Sequence, residues 1–341
     1  MRELDAEYVL PLRWTAEQSE RDVDELVGYL TELAGIVHVT VVDGSDADVF
    51  VRHRAALPPA VRHVAPLDRP GANGKVRGVV TGVRLARSER VVLADDDVRY
   101  TPRSLSRLVE LLDDADLVRP QNVFHPLPWH ARWDTGRSLI NRALGHDHPG
   151  TFGVRRGTFV EMGGYDGDVL FENLELARTV AAHGGVERNA PDVFVRRLPP
   201  TAGHFLGQRV RQAYDSLAEP RRLAAELAVL PTVLVAARRG HLTATAAGIA
   251  VTAVALAEIG RRRACGRDVY PATAALWAPA WLAERAVCSW IALGRRLTGG
   301  MPYAGGRLRT AASSPAKLSR RARARGGSGP EERDARGVAV G

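Results

Sequence analysis

Apolar runs alternate with amphipathic stretches through the first third of the chain. Tyr8 to Leu12 is a short apolar run. Thr15 then stands as the N-cap of a predicted helix reaching about Leu33, with Val23, Leu26, Val27, Leu30 and Leu33 recurring at helical spacing. Ile36 to Val42 is β-branched and stops at Asp43-Gly44-Ser45-Asp46, so the order is strand, helix, strand, turn. The pattern repeats. Val61 to Val64 reads as extended, Lys75 to Ala86 as helical, and Val91 to Ala94 as a strand ending at Asp95-Asp96-Asp97. Thr101-Pro102 opens a further helix, Ser104 to Leu112, with proline in its first turn.

Such alternation predicts an α/β fold: a Rossmann-like, mostly parallel sheet with helices on both faces, binding ligands at the carboxyl ends of its strands. Both acidic clusters fall there. From Leu117 to Pro200 the alternation loosens, and segments rich in Pro, Trp and His around His125–Trp133 and His146–Pro149 are expected to shape a substrate site. Three apolar stretches follow, Leu223–Ala237, Leu242–Ile259 and Ala272–Leu293, separated by Arg238-Arg239 and Arg261-Arg262-Arg263. None is a clean membrane span: the first contains Pro231, the second is modestly hydrophobic, and the third encloses Glu284-Arg285. The expected organisation is a catalytic domain over 1–220, an apolar, membrane-associated helical region over 221–295, and a basic, disordered tail over 296–341. A soluble helical subdomain is the alternative for the middle region.

With 341 residues, 45% hydrophobic and 25% charged, the chain is not wholly disordered. Its two cysteines, Cys265 and Cys288, build neither a disulfide framework nor a cysteine zinc site. The formal charge is +8, yet residues 295–341 alone hold 11 Arg/Lys against 3 Asp/Glu, so the body is neutral. That argues against nucleic acid as a partner and for a tail that meets an acidic surface such as anionic lipid. The first residues lack the apolar stretch of a secretion signal, and the catalytic part is expected in the cytoplasm, at the inner face of the cell membrane. Of the 47 basic residues only Lys75 and Lys317 are lysines, so Lys75 suits a site needing a compact, hydrated charge.

Three adjacent aspartates repel one another. On a strand, alternate residues share a side, so Asp95 and Asp97 are expected to converge on a cation while Asp96 faces away. Hard oxygen ligands suit Mg²⁺ or Mn²⁺, with substrate phosphates completing the coordination. Turn or helix-cap chemistry before Thr101-Pro102 is the other use of such residues.

The stretch Gly71-Ala-Asn-Gly-Lys75 to Gly82, followed by Val91-Val-Leu-Ala-Asp-Asp-Asp-Val98, resembles the nucleotide-sugar-binding half of a family 2 glycosyltransferase of GT-A fold. The resemblance implies a loop at Pro11–Arg13 after the first strand, a base contact from Asp43, Lys75 near the nucleotide, and a divalent metal on Asp95 and Asp97. Gly150 to Asp166 is similar to the family's acceptor segment, and Leu170-Phe-Glu-Asn-Leu-Glu-Leu176 lies where its Glu-Asp motif begins a helix. The aspartate of that motif is the family's general base, and Asn173 stands in its place. An amide cannot take a proton at neutral pH, so the role passes to Glu172, with Glu175, Asp166 and Asp168 as alternatives. Gln208-Arg-Val-Arg211-Gln is similar to the Gln-x-x-Arg-Trp motif of processive and lipid-directed members, with Gln212 replacing the tryptophan. Arg211 is expected to clamp a diphosphate, with Gln208 on the same helix face.

Together these matches imply an inverting, metal-dependent transfer of a sugar from a nucleoside-diphosphate sugar to an acceptor hydroxyl, on a lipid as in ceramide glucosyltransferases. Glu172 and Arg211 are the expected catalytic residues. Pro11, Arg13, Asp43, Lys75, Asp95, Asp96 and Gln208 are the expected donor contacts. A non-catalytic module that binds nucleotide-sugar or lipid is the alternative. A sugar nucleotidyltransferase is less favoured, because Pro11-Leu-Arg-Trp14 lacks the glycines of its phosphate loop.

Overall fold

A computed structural model describes residues 4–15, 20–303 and 305–326. The first half of the sheet domain runs β1 (Glu7–Leu12), α1 (Glu20–Ala34), β2 (His38–Asp43), α2 (Ala47–Ala56), β3 (Val61–Val64), α3 (Gly74–Leu85), β4 (Arg90–Ala94), β5 (Val98–Arg99) and α4 (Pro102–Leu111). The second half continues through β6 (Leu117–Phe124), α5 (Trp129–Leu144), β7 (Thr151–Arg155), α6 (Arg156–Glu161), α7 (Glu172–Ala182), β8 (Glu187–Arg197), α8 (Ala202–Gly207) and α9 (Arg209–Asp215). The start expected for the first helix, just after Thr15, falls on residues 16–19, outside the described residues. Helix α2 was not expected: of its side chains only Val49 and His53 are buried, too few to print a period on the sequence.

Eight strands form one sheet in the order β3-β2-β1-β4-β7-β6-β8-β5. β3, β2, β1 and β4 are mutually parallel, while β7 runs antiparallel between β4 and β6. The expected α/β sheet with flanking helices is therefore present, with β7 and β5 as its antiparallel members. Alternation along β1 divides the interior. Tyr8, Leu10 and Leu12 join the core beneath α1 and α4, whereas Val9 joins the core beneath α3. Helix α3 approaches β1 closely because Gly78 and Gly82, four apart on one face, press on Pro11 and Val9 where a Cβ would clash. Helix α4 begins with a capping box between Thr101 and Ser104 and with Pro102 in its first turn.

Three long helices follow, α10 (Pro220–Arg238), α11 (Leu242–Arg262) and α12 (Ala278–Leu297). Two of them share a core with the sheet domain: Leu139 and Ile140 of α5 pack with Ala253 and Ala257 of α11 and with Ala278 and Trp281 of α12. Gly260 lets α11 rest on the backbone of Leu139. Helix α11 is long and apolar enough to cross a membrane by length and composition.

The tail expected to be disordered from residue 296 is ordered as far as it is described. A hairpin of β9 (Met301–Tyr303) and β10 (Gly306–Leu308) leads to α13 (Pro315–Gly326). The intervening segment is fixed by backbone bonds, Leu170 N–H to Thr310 O at 3.0 Å and Phe171 N–H to Ala311 O at 2.8 Å, and Leu308 and Ala311 are buried. Residues 327–341 lie outside the described residues.

Candidate active site

The carboxyl ends of β1 and β4 meet the start of α7 around a cluster of opposite charges. The Asn73 side chain caps α3, accepting from the N–H groups of Lys75 at 3.1 Å and Val76 at 3.4 Å, and so places Lys75 at the helix entrance. From there the Lys75 ammonium reaches Asp95 Oδ1 at 2.6 Å, Glu172 Oε1 at 3.0 Å and Asn173 Oδ1 at 3.3 Å. Asn173 also donates to Pro149 O at 3.1 Å, so the amide ties the start of α7 to the loop before β7. Arg197, at the end of β8, donates to Asp97 Oδ2 at 2.8 Å.

The three aspartates lie on a turn between β4 and β5, closed by Val98 N–H to Asp95 O at 3.1 Å. Strand alternation therefore does not orient them. Asp96 does not face away: it accepts from the Trp14 indole N–H and lines the same cleft as its neighbours. Gly150 leaves room for Asp95, because a Cβ there would collide with the Asp95 carboxylate.

One cleft with two lobes surrounds the cluster. The outer lobe, about 520 Å³, is lined by Pro11, Arg13, Lys75, Asp96 and Tyr303 among others. The inner lobe, about 240 Å³, is lined by His148, Gln208, Gln212 and Asp215 among others. Asp95, Asp97, Glu172, Arg197, His204 and Arg211 line both, so they form the wall at which the lobes join.

Most expected site residues meet here: Pro11, Arg13, Lys75, Asp95, Asp96, Asp97, Glu172, Gln208 and Arg211 all face one lobe or both. Asp43 does not. Its carboxylate is buried against His53 Nδ1 at 2.7 Å and His63 Nε2 at 3.0 Å, and it accepts the Ser45 N–H at 2.9 Å. Burial alone would raise its pKa, but the hydrogen bonds from His63, Ser45 and His53 hold it well below the usual carboxylate range. Asp43 thus braces the loop, and its neighbour Gly44 reaches the outer lobe instead.

The alternatives for a base separate cleanly. Glu175 accepts the Ser313 N–H at 2.6 Å, Asp166 pairs with Arg321 at 2.9 Å, and Asp168 accepts the Ala72 N–H at 3.0 Å. Glu172 alone of the four lines the cleft. Burial raises its pKa, yet Lys75 and Arg211, whose Nη2 lies 4.0 Å from Glu172 Oε2, bring it below its ordinary value. Glu172 is ionised at neutral pH.

Three further residues belong to the cleft and were not singled out from sequence. Arg197 follows Arg196 at a strand end, Tyr303 arrives from the tail hairpin, and Asp215 lies one helical turn beyond Arg211. Asp215 Oδ1 is buried without a hydrogen-bond partner among the described residues, and burial pushes its carboxyl up to about 7. Only the one-turn spacing from Arg211 could have pointed to it.

The donor set suits a divalent cation that a diphosphate would complete. Asp97 Oδ1 is buried and lacks a hydrogen-bond partner, and Asp95 and Asp97 face one cleft. Among the described residues no cluster of three metal-ligating side chains occurs, so the protein offers two carboxylates. Mg²⁺ and Mn²⁺ are often held by that number together with substrate phosphates.

Residues 25–163 match the model of glycosyl transferase family 2. No curated protein matches the chain. Among solved structures, a mannosyltransferase from Pyrobaculum calidifontis, in complex with GDP-Man and Mn²⁺, is 19% identical with a TM-score of 0.48, covering 85% of this chain and 88% of that one. Glucosyl-3-phosphoglycerate synthase from Mycobacterium tuberculosis, in complex with Mn²⁺, UDP-glucose and glycerol 3-phosphate, is 19% identical with a TM-score of 0.41, covering 63% and 79%. At that identity and overlap neither carries its donor, metal or acceptor over to this chain. The likeness to the family rests on residues 25–163, which include Lys75 and the three aspartates of the cleft and are similar to glycosyl transferase family 2.

Proposed function

We propose that the chain moves a sugar from a nucleoside-diphosphate sugar in the outer lobe to an acceptor hydroxyl in the inner lobe. The observation that carries this reading is the wall common to both lobes, where Asp95, Asp97, Glu172 and Arg211 stand. A transferase has to bring its two substrates end to end, and such a wall is where they would meet. Lys75 and Arg211 supply positive charge beside the departing diphosphate, already fixed in place by Asp95 and Glu172. Asp95 and Asp97 would hold Mg²⁺ or Mn²⁺, which when bound neutralises part of the leaving group's charge. Glu172 takes the proton of the acceptor hydroxyl. With the acceptor in one lobe and the diphosphate in the other, attack comes from the far face of the sugar, and the anomeric centre inverts.

Asp215 is a second reading for the base, favoured by its unpartnered Oδ1 and by a carboxyl raised to about 7, near the best value for proton transfer at neutral pH. Glu172 is preferred because it faces both lobes, whereas Asp215 lines only the inner one.

A lipid acceptor extends the reading. An apolar groove of about 860 Å³, lined by Leu144, Val229, Ile249, Leu256 and Leu282, shares His148 and Arg222 with the inner lobe. An acyl or prenyl chain could lie there with its head in the lobe. Leu234, Val235, Leu242, Val251, Ile259, Trp290 and Ile291 are exposed on the three long helices, between arginine pairs at their ends. Such a surface suits the cytoplasmic face of the cell membrane. Since α11 packs one face on α5, it would lie on the bilayer rather than cross it.

The test is transfer from radiolabelled UDP- and GDP-sugars by purified protein with Mn²⁺. Asp97→Asn and Glu172→Gln should each lower turnover by about 10²–10⁴-fold, with donor binding kept in Glu172→Gln. Unchanged turnover in both variants would sink this assignment. Donor binding by the wild type without any turnover would make the chain a non-catalytic module.

A further inference from the structure

The wall of the inner lobe holds a guanidinium whose hydrogen bonds its surroundings leave unmade. Arg285 of α12 is 0% exposed, yet its Nε, Nη1 and Nη2 have no hydrogen-bond partner among the described residues. Its ion-pair contact, Glu284 Oε1, lies 3.8 Å from Nε, too far for a hydrogen bond. Glu226, the other carboxylate nearby, is already engaged by Ser216 at 3.2 Å, Arg222 at 3.0 Å and Ser289 at 2.7 Å. A guanidinium does not shed its proton in a protein, so five N–H donors stand buried and unused.

Arg285 nonetheless lines the inner lobe. Its wall carries the guanidinium groups of Arg137, Arg197, Arg209, Arg211, Arg222 and Arg285 against five carboxylates, Asp95, Asp97, Asp134, Glu172 and Asp215. Asp97 is answered by Arg197, Asp95 and Glu172 by Lys75, and Asp134 by Arg137. The Arg222 and Arg285 guanidinium groups lie 5.7 and 5.5 Å from the centroid of the Trp281 ring. Arg222 and Arg285 thus share the inner lobe, and Arg285 has no hydrogen-bonded carboxylate among the described residues.

We propose that Arg285, with Arg222 beside it, forms an oxyanion subsite that holds a phosphate or carboxylate group carried by the acceptor. The planar fork of a guanidinium matches two oxygens of such a group, and the bond is strengthened by charge and by exclusion of water. A neutral polyol would offer the fork only uncharged acceptors, which bond it more weakly. The acceptor, anchored by its anion at Arg285, directs a hydroxyl toward Glu172 in the wall. Only the word acceptor rests on the proposed glycosyl transfer; the anion site stands apart from it.

Calorimetric titration of the full chain with inorganic phosphate, acetate and glycerol, with and without saturating UDP and Mg²⁺, tests this. Phosphate or acetate should bind whether or not UDP is present, and the tighter of the two names the group; glycerol should not bind. Arg285→Met, which replaces a buried charge by an apolar chain of similar length, should weaken that binding roughly tenfold or more while leaving UDP affinity unchanged. Complete displacement of the anion by UDP would overturn the proposal, as would equal anion affinity in wild type and Arg285→Met, or glycerol binding as tight as the anion's. The wild-type arms decide even if the variant does not fold. Anion binding in a chain that binds no UDP would withdraw the donor reading and leave the subsite in place.

Discussion

Lys75 is held by two carboxylates of the wall common to both lobes, Asp95 and Glu172. Removing its charge would take the nearest cation from both, so the basicity of Glu172 depends on a lysine of α3. This separates it from Asp215 experimentally. With Glu172 as the base, Asp215→Asn should keep kcat within about tenfold, against the 10²–10⁴-fold loss expected of a missing general base. A wild-type rate that rises through about pH 7 and loses that rise in Asp215→Asn would move the role to Asp215. Stability gives an independent reading. Folding raises the Asp215 pKa, so its contribution is present below the ordinary carboxylate pKa and is lost as pH rises through about 7. Asp215→Asn should accordingly melt above wild type at pH 8 and not at pH 4, as followed by circular dichroism.

At the scale of elements, α3 and the tail hairpin carry the cleft between them. Gly82→Ala would force a methyl into Val9 of β1, and overpacking of that kind costs about 1–3 kcal/mol. Urea unfolding should register it as a lower midpoint with an unchanged slope. The tail makes the opposite contribution: Thr310 and Ala311 accept from Leu170 and Phe171, and Tyr214 Oη donates to Arg309 O at 2.8 Å. Deleting residues 299 onward should lower turnover more than it lowers the melting temperature, because the freed segment is the one that sets Glu172. This hairpin was illegible in the sequence. Its buried residues, Leu308, Ala311 and Ser313, are too sparse among arginines and glycines to give a period, and its bonds are almost all to backbone. β2 and β4 were legible for the contrary reason, since each is a short apolar run cut off by aspartate. Asp43 was misplaced because a strand-end carboxylate looks alike whether it meets a ligand or two histidines; His53 and His63, 10 and 20 residues on, come to it only in the fold.

The whole molecule presents its sheet cleft and its apolar helices as parts of one body, not as domains joined by a linker, because Leu139, Ala257 and Trp281 share a core. A bilayer that receives the helices therefore fixes the height of the cleft above it. Binding to vesicles should strengthen with anionic lipid and weaken with salt, given the arginines at the helix ends. Carbonate extraction should release the protein into the supernatant, and retention in the pellet would argue that α11 crosses the membrane after all.

The common wall also has a kinetic consequence. If each substrate fills its own lobe as proposed, neither must arrive first, and initial-rate plots against both concentrations should intersect in the pattern of random addition. Obligatory order would mean that one side forms only after the other is occupied, with Tyr303 as the first place to look for the moving part.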